Sequence, residues 1–209
     1  MHLNNNDLLL YFGGVLLAAG AAVGAAELAF YYRKKRWIDA CEQAFFKLDD
    51  TQRSSVGHIV RDFERYGDGD ENKLVYILAT ARHESRLKPI KEWRATSSQT
   101  TIYNLQNRYW DTGYYGRGFV QLTWERNYAK MSEFTGLNLV KNPDLALIPD
   151  YAGDIIVYGM INGSFTRRKL SEFINSSSID FYNARKTVNG LDKASTIATY
   201  ANSLKKALQ

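Results

Sequence analysis

The spacing of apolar residues predicts helices over most of the chain, and one of these helices carries the candidate chemistry. Its buried face repeats every three or four residues through Leu74, Ile77, Leu78 and Ala81. Asp70 is an acidic residue at the expected N-cap, and Pro89 limits the C-terminal end. At about 100° per residue, Glu84 falls within roughly 20° of Ile77. The sequence therefore predicts a helix that places a carboxyl group on its apolar face in the last turn.

The rest of the chain divides into helical and irregular stretches. Residues 37–66 show two apolar faces at helical spacing, and helices are predicted again from Asn127 onward. Between them, residues 94–115 are polar and aromatic, with Thr, Ile and Tyr favouring short strands, so we expect an irregular lobe with a small hairpin. Loops in the C-terminal half are expected at Gly136, Asn142-Pro143, Gly163 and Asn189-Gly190. The predicted fold class is mainly α, with a small irregular or β lobe.

The N-terminal region is predicted to cross a membrane. Residues 8–32 form an apolar run of 25 residues with one charge, Glu27, and a helix of that length spans about 37 Å. Residues 1–7 contain no Lys or Arg, which argues against a cleaved signal peptide. A buried core helix is the alternative. The expected organisation is a polar N-terminus (1–7), one transmembrane helix (8–32), a basic flank (33–36) and a globular domain (37–209).

The basic residues indicate a membrane flank rather than a nucleic-acid partner. The chain has 27 Lys and Arg against 22 Asp and Glu, and Arg33-Lys34-Lys35-Arg36 supplies most of the net charge of +5. We interpret this cluster as an anchor at the lipid headgroups and expect no nucleic-acid-binding face. Because basic flanks stay on the cytoplasmic side, the N-terminus is predicted outside and the C-terminal domain inside the cytoplasm. Cys41, the single cysteine, is expected to be buried without a disulfide partner.

Two carboxyl groups lie in surroundings that favour different roles. Glu84 is on an apolar face at a helix C-terminus, where partial burial and the helix dipole favour proton donation. Glu92 follows Pro89 in a loop between Lys91 and Arg94, whose charges favour the carboxylate. Glycoside hydrolysis uses such a pair as acid and base. The alternative for each residue is a solvated or salt-bridged surface group.

A metal centre is not expected around this helix. Leu87 stands where a zinc protease helix has its second His. Asp68, Asp70 and Asn72 match the first ligands of a calcium loop, but Lys73 stands where that loop requires Gly. We interpret the acidic stretch as a turn and a helix cap.

A glycine-rich motif forms the second candidate stretch. Residues 115–123 are YGRGFVQLT, in which the two glycines beside Arg117 permit a close approach of the backbone. An extended segment after them would present Gln121 and Thr123 on one side. An amide and a hydroxyl group would then line the same surface. The alternative is a glycine turn that precedes a strand.

The order of four motifs resembles glycoside hydrolase family 19, the group that contains plant-type chitinases and many bacteriophage endolysins. The motifs are His83-Glu84, the stretch YYGRGFVQLTWERNY at 114–128, Asn142-Pro143-Asp144-Leu145, and ARKTVNG at 184–190. The resemblance covers about residues 37–209, and the C-terminal half is more similar to the phage enzymes. It implies a mainly helical, lysozyme-like α+β fold with two lobes and a substrate cleft between them.

The resemblance also implies roles for individual residues. Glu84 matches the general acid, and Glu92, placed by its spacing of eight residues from Glu84, matches the general base. Thr123 matches the hydroxyl residue that helps hold the attacking water. The implied substrate-binding positions are Gln121, Asn127 and Asn189. Trp110, Tyr114 and Tyr115 are candidates for stacking on sugar rings, with burial in the core as the alternative.

One feature of the plant members has no direct match in this sequence. They place an acidic group and an Arg behind the general acid; Asp192 is a candidate for the acidic group, but no Arg follows Asn189. The residue that orients Glu84 is therefore expected upstream. The candidates are Arg82, Arg86 and Arg185.

Together these observations predict a membrane-anchored phage enzyme that cleaves β-1,4 glycosidic bonds of peptidoglycan with inversion, without a metal or other cofactor. Chitin is the alternative substrate. A virion or wall-binding protein that kept the fold and lost turnover is the non-enzymatic alternative. The charge bias favours a virion-associated or inner-membrane enzyme, whereas the Gly- and Ala-rich composition of residues 8–32 favours release into the periplasm.

Overall fold

The computed structural model describes the backbone of residues 5–209 and the side chains of residues 23–209. The chain forms two compact units, Met1–Arg36 and Trp37–Gln209. Much of the predicted membrane span, residues 8–22, lies outside the residues whose side chains are described. Across the described part of the chain, no helix has the length and apolar character needed to cross a membrane.

The described residues are mainly helical, as predicted. Seven α-helices follow one another in the order α1 Asn5–Ala44, α2 Asp50–Tyr66, α3 Glu71–Ser85, α4 Thr100–Gln106, α5 Glu125–Thr135, α6 Pro149–Asn162 and α7 Ala194–Ala207. Short 3₁₀ helices cover Trp110–Thr112, Pro143–Leu147, Leu170–Glu172 and Asn183–Thr187. Four two-residue strands form two antiparallel pairs, β1 Ile90–Lys91 with β2 Arg117–Gly118, and β3 Ile174–Asn175 with β4 Ser178–Ile179. The β3–β4 hairpin was not predicted.

Helix α3 forms the centre of the globular unit. Every residue from Leu74 to Ala79 is nearly or completely buried, because α7 packs along α3 while α2 and α6 pack against it and each other. The N-cap is Asp70, whose side chain accepts a hydrogen bond from Asn72 N at 3.0 Å. At the other end Arg86 adopts a left-handed conformation, with φ 54°, and its N–H donates to the last carbonyls of the helix. The predicted start and end of this helix are confirmed.

The two apolar faces predicted over residues 37–66 belong to two helices separated by a break. Helix α1 ends at Ala44 and α2 begins at Asp50. Asp49 ends the loop between them, because its carboxylate accepts from Gln52 N while the Gln52 side chain accepts from Asp49 N. Such a reciprocal capping box satisfies two of the backbone donors that a helix start leaves unpaired. Cys41, at the end of α1, is completely buried and has a free thiol.

The lobe between α3 and α5 is partly regular. The hairpin predicted within residues 94–115 does not form; instead, the β1–β2 pair, in which Ile90 lies opposite Gly118, flanks this segment. The α4 segment, TTIYNLQ, was expected to favour strands, but it is helical. Its last residue, Gln106, is 2 % exposed, donates to Trp93 O and accepts from Ala95 N. We attribute the helix to these contacts, which override the local strand propensity.

Candidate active site

A cavity of about 450 Å³ in the globular unit collects most of the predicted site residues. Six of them line it: Glu84, Glu92, Gln121, Thr123, Asn127 and Asn189. They come from the end of α3, the residue after β1, the loop after β2, the first turn of α5 and the segment after the last 3₁₀ helix. Residues far apart in the sequence therefore converge on one polar cleft.

Glu84 is held by an arginine from the C-terminal region. Arg185 Nη1 lies 2.5 Å from Glu84 Oε1, and the Arg185 side chain is 4 % exposed. Arg185 Nε also donates to the backbone carbonyl of Asp192 at 3.1 Å. The Asp192 carboxylate is therefore not the partner that fixes this arginine. The guanidinium holds the Glu84 carboxyl group through one charge-assisted hydrogen bond and offsets its negative charge.

The other two arginines considered for this role point elsewhere. The Arg82 guanidinium carbon lies 3.2 Å from the ring centre of Tyr200. The guanidinium carbon of Arg86 lies 5.1 Å from the ring centre of Phe46. Both are cation–π contacts outside the cavity. Of the three candidates, Arg185 is the one that contacts Glu84.

Glu92 is surrounded by neutral donors rather than by cations. Its Oε1 accepts from Gln106 Nε2 at 2.9 Å and from Tyr109 OH at 2.8 Å. Its Oε2 accepts from Gly116 N at 2.8 Å. Three donors and no acceptor around a carboxyl group match the deprotonated form, which accepts hydrogen bonds only. Burial, followed by the hydrogen bond to Glu92, raises the pKa of Tyr109, so this phenol remains a donor.

The sequence analysis expected the charges of Lys91 and Arg94 to favour the Glu92 carboxylate, and this expectation is corrected. Lys91 forms an ion pair with Asp144 at 3.0 Å, and Arg94 donates to the side chain of Asn107. The two neighbouring cations thus have other partners. Hydrogen bonds from three groups distant in sequence take the place of the neighbouring charges.

The glycines of the YGRG motif have the expected steric purpose. A Cβ atom on Gly116 would lie 2.7 Å from Gln121 Oε1 and 3.2 Å from Glu92 Oε2. Gly118 has φ +77°, and a Cβ there would lie 2.7 Å from the carbonyl oxygen of Ala146. Neighbouring atoms thus leave no room for a Cβ atom at either position. Gly118 also has a left-handed backbone conformation, which glycine adopts without strain.

The segment after the glycines is a tight loop rather than the expected extended strand. Arg117 N donates to Leu122 O at 3.2 Å, and Leu122 N donates back to Arg117 O at 2.8 Å. Gln121 has φ 53°, so the backbone reverses there. The loop nevertheless brings Gln121 and Thr123 to the same cavity.

Hydrogen bonds of ordinary length orient the polar side chains of this loop and of the start of α5. Gln121 Nε2 donates to Ile90 O at 3.0 Å, which ties the loop to β1. Thr123 Oγ1 donates to Gln121 O at 2.9 Å. Asn127 Nδ2 donates to Thr123 O at 2.8 Å. The Thr123 hydroxyl oxygen and the Asn127 side-chain oxygen retain lone pairs that can accept hydrogen bonds.

Arg117, the arginine of the YGRG motif, holds neighbouring segments together. It is 4 % exposed, lies 2.6 Å from Asp144, and donates to Tyr128 OH and to two backbone carbonyls. Burial by itself would raise the pKa of Asp144, but the bonds from Lys91 and Arg117 lower it. This network connects β2 with the Asn142–Leu145 motif.

The candidate sugar-stacking residues do not line the cavity. Trp110 and Tyr115 stack on each other, with ring centres 4.3 Å apart and planes 15° from parallel. The guanidinium of Arg117 lies 4.0 Å from the Tyr115 ring centre. Other side chains thus contact these rings, and the role of the two residues in sugar stacking stays a prediction.

Other aromatic residues line the cavity in their place. Tyr109 and Trp124 are in edge-to-face contact at 5.1 Å, and Phe165 contributes a further ring. Trp124 directly follows the QLT stretch in the sequence, so its proximity to this motif could have indicated that it lines the cavity. Tyr109 has no comparable signal in the sequence, because its contact with Glu92 spans 17 residues.

The site shows no arrangement of side chains suited to a metal ion. Within the described residues, no group of three His, Cys, Asp or Glu side chains converges on one point. The polar groups that line the cleft include amides, hydroxyls and two carboxyl groups, and each carboxyl group has its own hydrogen-bond partners. Such groups are suited to hydrogen bonding and proton transfer.

Comparison with known proteins shows that part of this chain is similar in sequence to plant endochitinases. No protein-family model matches the chain. A stretch of 78 residues is 37 % identical to an endochitinase of Arabidopsis thaliana, covering 36 % of this chain and 27 % of the endochitinase. A second Arabidopsis thaliana endochitinase is 34 % identical over 89 residues, covering 41 % of this chain and 30 % of its own length. The match therefore spans less than a third of each relative.

A solved structure shares the fold over most of the chain. Chitinase C from Streptomyces griseus HUT6037 superposes with a TM-score of 0.59, covering 82 % of this chain and 75 % of chitinase C. The sequences are 18 % identical, so the superposition shows the fold alone. The described residues are thus mainly helical, and the part of the chain that superposes has a chitinase-like fold.

Proposed function

We propose that residues 37–209 form a glycoside hydrolase that cleaves β-1,4 bonds between N-acetylated amino sugars with inversion. The observation that carries the proposal is the meeting of two carboxyl groups with different environments in one cleft. Glu84 contacts a buried arginine, while Glu92 accepts three neutral hydrogen bonds. These different partners distinguish the two carboxyl groups, and we assign the acid role to Glu84 and the base role to Glu92 from the positions that they occupy in the sequence motifs.

The proposed reaction begins with proton donation from Glu84 to the glycosidic oxygen, which leaves as an alcohol. Water attacks the anomeric carbon from the opposite side while Glu92 accepts its proton. Oε2 of Glu92 has one protein donor, Gly116 N, so a lone pair remains for this proton. The Arg185 contact offsets the negative charge that remains on Glu84 after it has donated.

The neutral polar groups complete the proposed mechanism. The Thr123 hydroxyl lies on the loop that also carries Gln121, and we assign it to holding the attacking water. We assign Gln121, Asn127 and Asn189 to hydrogen bonds with the hydroxyl and acetamido groups of the sugars. No step of this mechanism requires a cofactor.

Glu84→Gln tests the proposal, because it preserves the shape and removes the transferable proton. We expect the release of reducing ends from peptidoglycan to fall by about 10²- to 10⁴-fold. Glu133→Gln, an exposed position on α5, is the matched control and should retain activity. The new reducing end should appear first as the α-anomer in NMR spectra. Undiminished activity of the Glu84 variant would refute its role as the acid.

Peptidoglycan and chitin are the two candidate substrates. The phage-like C-terminal motifs favour peptidoglycan, whereas the names of the relatives favour chitin. Parallel assays on peptidoglycan glycan strands and on N-acetylglucosamine hexamers distinguish them. Binding of either glycan without bond cleavage would instead support the wall-binding alternative. The Arg185 contact weakens that alternative, because it supplies the cation expected beside the acid.

We further propose, from the sequence, that residues 8–32 attach the enzyme to a membrane with the C-terminal domain on the cytoplasmic side. This orientation suits a virion-associated enzyme that is kept from the host wall until assembly. A reporter enzyme fused after Gln209 should be active in the cytoplasm, and the protein should be found in purified particles. Periplasmic reporter activity and soluble protein after membrane depolarisation would support release instead.

A further inference from the structure

A second groove adjoins the proposed active site. It has a volume of about 370 Å³ and is lined by Arg108, Trp124, Glu125 and Arg126. Trp124 also lines the catalytic cavity, so one side chain belongs to both. A glycan bound in the cavity and extending past Trp124 would therefore bring its next substituents to this groove.

The two arginines of the groove have no carboxylate partner in the part of the protein whose side chains are described. Arg108 lies with its guanidinium carbon 5.8 Å from the ring centre of Trp124, and both arginines are exposed. Many basic residues elsewhere are paired, for example Lys91 and Arg117 with Asp144. The groove thus presents two unneutralised guanidinium groups beside an aromatic ring.

The backbone of Trp124 shows that its position is specifically maintained. Its φ is +74°, which is rare for a bulky side chain and needs support from the surrounding structure. Trp124 N donates to Tyr114 O at 2.9 Å, and the Tyr109 ring contacts the indole edge-on. These contacts fix the indole between the two cavities.

We propose that this groove binds a carboxylate carried by the glycan, and so makes the enzyme prefer acidic amino-sugar glycans over neutral ones. The inference rests on the proposed function and deepens it. A guanidinium binds a carboxylate through two parallel hydrogen bonds, and the lactyl ether group of muramic acid supplies such a carboxylate wherever it carries no peptide. Chitin has no equivalent group. Glu125 repels a carboxylate and so opposes this preference. With two arginines and one glutamate, the groove still has one net positive charge.

Matched substrates test this inference on the full chain in mild detergent. One is peptidoglycan glycan strands freed of peptides; the other is the same strands with their carboxyl groups reduced to alcohols. We expect kcat/KM to be about 10-fold higher on the acidic strands, the value of one charge-assisted hydrogen bond. This ratio should decrease at high salt, because the groove is open to solvent.

Variants in the groove should change the ratio in opposite directions. Arg108→Gln and Arg126→Gln should each lower it several-fold, and Glu125→Gln should raise it. Lys206→Gln removes a positive charge from α7, outside both cavities, and should leave the ratio unchanged. Equal kcat/KM on the two substrates, or a ratio insensitive to all three groove variants, would overturn the proposal.

Failure of the proposed function gives a different result. In that case neither strand is cleaved by the unmodified protein, and the same ratio is measured from the two dissociation constants by calorimetry. Tighter binding of the acidic strands that is lost in Arg108→Gln and Arg126→Gln would support the groove without catalysis. Equal dissociation constants would overturn it.

Discussion

Replacing Glu92 by Gln should destabilise the protein as well as inactivate it. The carboxylate accepts bonds from Gln106 Nε2, Tyr109 OH and Gly116 N, so both of its oxygens act only as acceptors. An amide has one oxygen, and its NH₂ group must face at least one of these donors. The best orientation keeps the oxygen toward Gln106 and Tyr109 and turns the NH₂ group toward Gly116 N.

The size of the effect follows from this geometry. The buried N–H of Gly116 loses its acceptor, which costs about 1–3 kcal/mol. The two remaining bonds change from charged to neutral, which weakens each by about 1 kcal/mol. Because such contributions are not additive, we expect a loss of about 3 kcal/mol in the free energy of unfolding. For a domain of this size that corresponds to a decrease of roughly 6–12 °C in Tm.

Urea denaturation at pH 7 measures this loss. Glu133→Gln is the control for an exposed Glu and should stay within about 0.5 kcal/mol of the unmodified protein. A double-mutant cycle with Tyr109→Phe gives a second test. Removing the Tyr109 hydroxyl should cost less stability in the Glu92→Gln background, because its charged acceptor is already absent. Equal stability of Glu92→Gln and Glu133→Gln would refute the proposed network.

Two further predictions concern other parts of the globular unit. Burial, with a smaller contribution from Asp154, raises the pKa of Asp62 to about 7, and Asp62 Oδ2 has no hydrogen-bond partner. Since the folded state then binds this proton more tightly than the unfolded state, the free energy of unfolding should fall as the pH rises from about 4 to about 7. Asp62→Asn should abolish much of this fall. In urea denaturation at pH 8, the loss of unfolding free energy relative to pH 4 should be smaller in the variant by about 2–4 kcal/mol. A parallel pH dependence in both proteins would contradict this prediction. Arg185→Lys keeps the charge but cannot hold both Glu84 and the Asp192 carbonyl, so kcat should fall about 10-fold with KM within about two-fold. A changed KM with normal kcat would instead indicate a substrate contact.

Features that depend on neighbouring residues were predictable from the sequence. The start and end of α3 follow from an acidic N-cap, an apolar face and a proline, all within about 20 residues. The predicted breaks at Gly136 and Gly163 coincide with left-handed residues that end α5 and α6. The glycines of the YGRG motif also lie where close approach is required. In each case the physical cause is local and leaves a pattern in consecutive residues.

Only the tertiary structure decided how the candidate site is supported. Arg185 and Glu84 are 101 residues apart in sequence, and three arginines were equally plausible partners before the fold was known. Neutral donors, rather than neighbouring cations, surround Glu92, because the chain folds Tyr109 and Gly116 back onto it.

The aromatic residues show the same limit. Composition alone could not distinguish Trp110, which stacks on Tyr115, from Trp124, which lines the cavity. Both are tryptophans among polar residues, and their roles depend on which ring faces remain uncovered after folding. Helix α4 likewise forms against its strand propensity, because Gln106 makes buried hydrogen bonds with residues 93 and 95. Contacts between distant side chains carry no periodic signal in the sequence, so only folding determines them.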